Sequence, residues 1–103
     1  MIYILHFNAE NEHQPFNVDQ AVSAMLDGKY VCVADYKGYG LEGAWQATQN
    51  IESAWVNNKE EFSAVHVERC RSSMIGDIFA IRGDGLYMVD IVGFTKFDLG
   101  KRI

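Results

Sequence analysis

The sequence predicts an α+β domain with two helices packed on one face of a mostly antiparallel, four- to five-stranded sheet that ends in a C-terminal β-hairpin. Three observations carry this expectation: one capped helical stripe near the start, β-branched and aromatic runs on both sides of it, and a glycine-rich turn between two late apolar runs. A chain of 103 residues holds one core, so residues 1–103 are read as a single domain. Its 49% hydrophobic, 13% aromatic and 22% charged residues support that core and exclude a disordered chain.

Ile2 to Phe7 is β-branched and aromatic and reads as an opening strand, apolar enough for burial on both faces. Asn8 to Pro15 is a polar loop. A helix is expected over Val18 to Asp27: Asn17 caps it, Gln20 reaches back to the capping residue's amide, and Phe16 precedes the cap as a staple would. Val18, Ala21, Val22 and Met25 share a face, and Gly28 supplies a left-handed stop. Tyr30 to Tyr36 reads as the second strand, and Lys37 to Gly40 as a flexible turn. A second helix is expected from Leu41 to Asn50, with Leu41, Ala44, Trp45 and Thr48 facing inward. Phe62 to Val67 alternates as a strand does. Ile78 to Ile81 and Leu86 to Val92 flank Arg82-Gly83-Asp84-Gly85, the pattern of a hairpin. Gly93 to Phe97 either prolongs the second arm or forms a last short strand. Gly76, Asp77, Gly83, Gly85 and Gly93 are assigned to turns.

The net charge of −5 is unevenly spread. Met1 to Glu68 holds ten acids and three bases, whereas Arg69 to Ile103 holds four acids and six bases. An acidic surface disfavours general nucleic-acid affinity and suits basic protein partners. Direct nucleic-acid binding is therefore not expected, although the basic C-terminal part is the alternative binding surface. Ile2 to Phe7 is broken by His6, is far shorter than the roughly 20 residues of a membrane span, and lacks a basic leader. The expectation is a cytoplasmic chain with no membrane partner. Cys32 lies in an apolar run and reads as a small buried hydrophobe, and the two cysteines, Cys32 and Cys70, are too few and too far apart for a metal or redox motif.

No catalytic, metal or cofactor site is expected. His6, His13 and His66 have no local acidic or cysteine partner at ligand spacing, and zinc wants four ligands. Asp35, Asp77 and Asp90 stand nearest the strands; Asp35 and Asp77 with one histidine would be the acid–base set of a small enzyme. Asp77 after Gly76 reads instead as a turn residue. Ser53, Ser63, Ser72 and Ser73 lack a nucleophile elbow. Arg69, Arg71, Ser72 and Ser73 form a basic, hydroxyl-bearing cluster suited to a phosphate or a partner's carboxylate, with Arg82, Lys96, Lys101 and Arg102 downstream; an arginine pairing within its own domain is the competing role. Tyr39 and Trp55 sit near loops as candidate anchors for a partner, with Glu42, Glu60 and Glu61 as acidic companions.

Arg71-Ser72-Ser73-Met74-Ile75-Gly76-Asp77-Ile78-Phe79, followed by Tyr87-Met88-Val89 and Gly93-Phe94, resembles the R-S-x-S-V-G-D-V to G-F ending of a group of small uncharacterised proteins of phages and mobile elements. Leu41-Glu42-x-Ala44-Trp45-x-x-Thr48-Gln49-Asn50 is similar to a helix placed upstream in that group, and Met74 departs from its usual serine. The resemblance implies a phage-encoded accessory protein, acting in the cytoplasm of a bacterial host. It would bind and inhibit a host or defence protein, such as a nucleic-acid-handling, restriction or CRISPR complex. Self-association is also expected, through an unpaired edge at the hairpin or the opening strand.

Overall fold

The computed structural model describes residues 1–102, with side chains described through residue 100. Six strands are found among the described residues: β1 (Ile2–Phe7), β2 (Tyr30–Tyr36), β3 (Phe62–Val65), β4 (Ile78–Ile81), β5 (Gly85–Val89) and β6 (Phe94–Phe97). They form one open sheet in the order β3-β2-β1-β4-β5-β6, with every neighbouring pair antiparallel. The α+β class holds, but the sheet has six strands rather than four to five, because Phe94–Phe97 pairs back on β5. The opening strand is central, paired to β2 and β4, so the edges are β3 and β6. The edge expected at β1 does not exist.

Helix α1 (Val18–Leu26) starts where Asn17 Oδ1 accepts from the Gln20 amide at 2.9 Å. Gln20 Oε1 reaches one residue further back than expected and accepts from Phe16 N at 2.7 Å. Asp27 caps the C-terminus, and Gly28 follows at φ +72°. Phe16 stays exposed and does not act as a staple. Helix α2 (Leu41–Ala47) is shorter than the expected Leu41–Asn50, since Thr48 ends it by turning its hydroxyl onto Ala44 O at 2.9 Å.

The two helices lie on opposite faces of the sheet, not on one. Ala21 and Val22 of α1 pack with Ile78, Met88 and Phe97. Ala44 of α2 packs with Ile4, Phe79, Val89, Trp55 and Phe62. Ile78 and Phe79 are consecutive, as are Met88 and Val89, and consecutive strand residues point to opposite faces. The central strands are apolar at both parities, so each face needs its own cover. Among the described residues no helix is long and apolar enough to cross a membrane.

Gly76, Gly83 and Gly93 carry φ of +95°, +81° and +72° and mark true turns. A Cβ on Gly76 would also run into the Pro15 carbonyl, so this position needs glycine twice over. Gly85 is the first residue of β5, opposite Ile81, and is a strand residue rather than part of the turn.

Candidate functional site

Two groups of cysteine, histidine and aspartate assemble in this chain, one on each side of the sheet. The first is built around Asp77, which is fully buried just before β4. Its carboxylate takes a two-pronged contact from the Arg71 guanidinium, at 2.7 Å to Oδ2 and 2.9 Å to Oδ1. It also accepts from the amides of Phe7 (3.0 Å) and Met74 (2.8 Å) and from Gln14 Nε2 (2.8 Å). Asp77 is thus more than a turn residue: it ties the loop after β1, the strand entry and the Arg71 segment into one clasp. Arg71 completes its donors on Phe7 O (3.1 Å) and Ser72 O (3.0 Å).

His6 extends this clasp into the core beneath Trp55. Hydrogen counting fixes its tautomer. Thr48 spends its hydroxyl hydrogen on Ala44 O, so it accepts from Ser73 at 2.7 Å. Ser73 Oγ must then accept from His6 Nε2–H at 2.9 Å, which leaves His6 Nδ1 to accept from the Cys70 thiol at 3.2 Å. Burial lowers the His6 pKa from 6.5 to about 4, outweighing Asp77 at 3.7 Å. Burial also raises the Cys70 thiol above its ordinary value. A neutral imidazole beside a neutral thiol is a structural pair, not a thiolate nucleophile.

This arrangement engages four of the candidate partner-binding residues, Trp55, Arg71, Ser72 and Ser73, within the chain itself. Trp55 has 0% exposure and donates its indole N–H to Arg71 O at 2.9 Å, so it is a core residue. Ser73 is buried inside the hydroxyl relay. Arg71 is taken up by Asp77, the pairing within the domain that competed with anion binding. Ser72 is committed as well, since its hydroxyl accepts from Asn50 N at 2.8 Å. Asn50 Nδ2 and Gln49 Nε2 donate to Cys70 O and Ser73 O. The Leu41–Asn50 stretch and the segment from Cys70 to Ser73 therefore meet and stitch to each other.

The second group is Cys32, Asp35 and His66, whose ligating atoms all lie within 4.8 Å of one another. A β-bulge makes it. Leu5 pairs with Cys32 while Ile4 pairs with Ala34, so Val33 is an extra residue in β2. Cys32 and Asp35, three apart, would otherwise point to opposite faces. The bulge turns both to the α1 side of the sheet. Strand β3 delivers His66 beyond its last residue, where His66 N donates to Val33 O at 2.9 Å. Asp35 Oδ1 then lies 3.2 Å from His66 Nε2 and 3.5 Å from Cys32 Sγ. Burial, followed by Asp35, pushes the Cys32 thiol up to about 11. Cys32 is half-buried beside Asp35 rather than a buried hydrophobe, and His66, which has no local partner in the sequence, meets Asp35 from 31 residues away. Asp35 and Asp77 do not converge on one histidine; each has its own.

Tyr39, Glu42, Glu60, Glu61 and Arg69 are exposed, and His13 sits on the loop before α1. Lys96 pairs with Asp84 at 2.9 Å, Arg82 is exposed, and the side chains of Lys101 and Arg102 lie outside those described. Beside α2, a shallow cleft of about 200 Å³ is lined by Glu42, Trp45, Asp90, Ile91 and Phe94. Thr95 Oγ1 at 2.6 Å and the Ile91 amide at 2.8 Å hold the Asp90 carboxylate below its usual pKa.

Fold and side-chain clasp together define an α+β protein with an open antiparallel sheet covered on both faces. Comparison with protein-family models, with curated proteins and with solved structures finds no match to this chain.

Proposed function

We propose that this chain is a non-enzymatic binding protein that seats a basic protein partner on the apolar patch beside α2. The observation that carries the reading is a cleft that holds exposed Ile91 between Glu42 and Asp90, with exposed Val92 next to Ile91 in the chain and exposed Tyr39 three residues before Glu42. Tyr39 is 96% exposed, Val92 89% and Ile91 65%, and Glu42 and Asp90 flank the cleft that Ile91 shares with Trp45. Exposed aromatic and aliphatic anchors ringed by charge supply affinity at their centre and steering at their rim. Exposed Glu10, Glu12, Asp27, Glu52, Glu60, Glu61 and Glu68 add to the negative field, which suits a surface built to hold nucleic acid.

The resemblance to phage and mobile-element proteins narrows the partner to a nucleic-acid-handling protein of a bacterial host or its defences. In this reading the chain inhibits that protein by occupying its basic groove, in the host cytoplasm. Direct binding of nucleic acid is the weaker reading, because Arg71 and Lys96 are already paired with Asp77 and Asp84.

The test is a pull-down from bacterial lysate with the wild type and with Tyr39→Ser and Glu42→Lys, washed at low and then high salt. One basic, nucleic-acid-handling protein should stay on the wild type at low salt, leave at high salt, and be lost from both folded variants. Equal retention by the variants, or nothing retained by the wild type, overturns the proposal. A salt-dependent titration with DNA or RNA would favour the nucleic-acid alternative instead.

A further inference from the structure

We propose that Cys32 Sγ, Asp35 Oδ1 and His66 Nε2 form a binding site for a divalent transition metal of the zinc class, with water in the fourth position. The donor set selects the metal. A thiolate and an imidazole beside one carboxylate suit zinc and its borderline neighbours, whereas calcium and magnesium want a shell of oxygens. Spacing supports the same choice. Zinc bonds of about 2.0–2.3 Å in tetrahedral geometry place neighbouring donors about 3.5 Å apart. Asp35 Oδ1 lies 3.2 Å from His66 Nε2 and 3.5 Å from Cys32 Sγ, so two edges of that tetrahedron exist before any metal arrives.

The donors are also positioned by backbone rather than by chance. The bulge at Val33 turns Cys32 and Asp35 to one face, and the hydrogen bond from His66 N to Val33 O fixes the third ligand on the bulged residue itself. In the metal-free chain two hydrogens bridge the cysteine and the histidine to Asp35. The metal takes their place: the thiol proton leaves to solvent, and the imidazole stays neutral with its hydrogen on Nδ1. His66 is half-exposed, which gives the ion a path in and leaves room for the solvent ligand. Three protein donors plus water is the open form of a zinc site rather than the closed structural form.

The inference is independent of the binding function proposed above, and it is tested on the full chain, reduced and stripped of metal. Cobalt(II) is the probe, because a cobalt–thiolate bond gives a near-ultraviolet charge-transfer band. One equivalent should produce the band, zinc should abolish it, Cys32→Ser should lack it, and Cys70→Ser should keep it. His66→Gln should bind at least tenfold more weakly while its metal-free circular dichroism and melting match the wild type. This exposed substitution keeps the test decisive if Cys32→Ser fails to fold. Absence of the band in the wild type, its survival in Cys32→Ser, or unchanged affinity in His66→Gln would overturn the site.

Discussion

Cys70, His6 and Asp77 on one side of the sheet, and Cys32, His66 and Asp35 on the other, are the same three residue types put to different use. In the first group Asp77 has five donors from the chain itself: both prongs of Arg71, two backbone amides and Gln14. Every lone pair is spoken for, the histidine is buried and neutral, and no valence is left for a ligand. In the second, among the described residues, the Asp35 carboxylate meets only Cys32 and His66, and the imidazole stands half in water. Residue type alone does not make a site. A fully satisfied cluster holds a fold together, and an incompletely satisfied one can still accept something.

The two clusters differ most in what their aspartates hold. Asp77→Ala strips acceptors from a guanidinium and two amides and should cost about 3–5 kcal/mol, read from urea unfolding. Asp35→Ala should cost less than about 1 kcal/mol without metal, as exposed pairs do. Equal costs would erase the distinction.

Acid acts on the buried cluster through His6. His6 titrates at about 4 in the fold and 6.5 when unfolded, so the unfolded chain takes up the proton first. Its contribution is fully present above pH 6.5 and is lost as the pH falls toward 4, by roughly 3 kcal/mol in total. Unfolding free energy measured across that window should fall in the wild type and fall much less in His6→Gln. The smallest effect belongs to His66→Gln, whose metal-free stability should stay within about 0.5 kcal/mol of wild type by the same denaturant assay.

The fold was largely legible from local signals. The Asn17 cap and Gly28 stop bound α1 to within a residue, and the β-branched runs gave β2 and β4 their observed limits. Which face a helix covers was not legible, because Leu5, Ile78 and Met88 look the same in sequence as Ile4, Phe79 and Val89 while packing the other way. The clasp was half-readable: Arg71 and Asp77 stand six residues apart, but His6 comes from the far end of the chain. The open cluster was hidden twice over. His66 is 31 residues from Asp35, and the Cys32–Asp35 spacing points the wrong way until a bulge corrects it.

That bulge works as a phase shifter. Everything in β2 before Val33 keeps one in–out rhythm, and everything after it keeps the opposite one. Tyr36 faces the Trp55 core only because the beat is skipped once. Deleting Val33 would leave composition and hydrophobic content almost unchanged. It would also force a choice between keeping Tyr36 and Ala34 in the core and keeping Cys32 and Tyr30 on the other face. A single supernumerary residue thus lets one short strand serve two layers that are out of step.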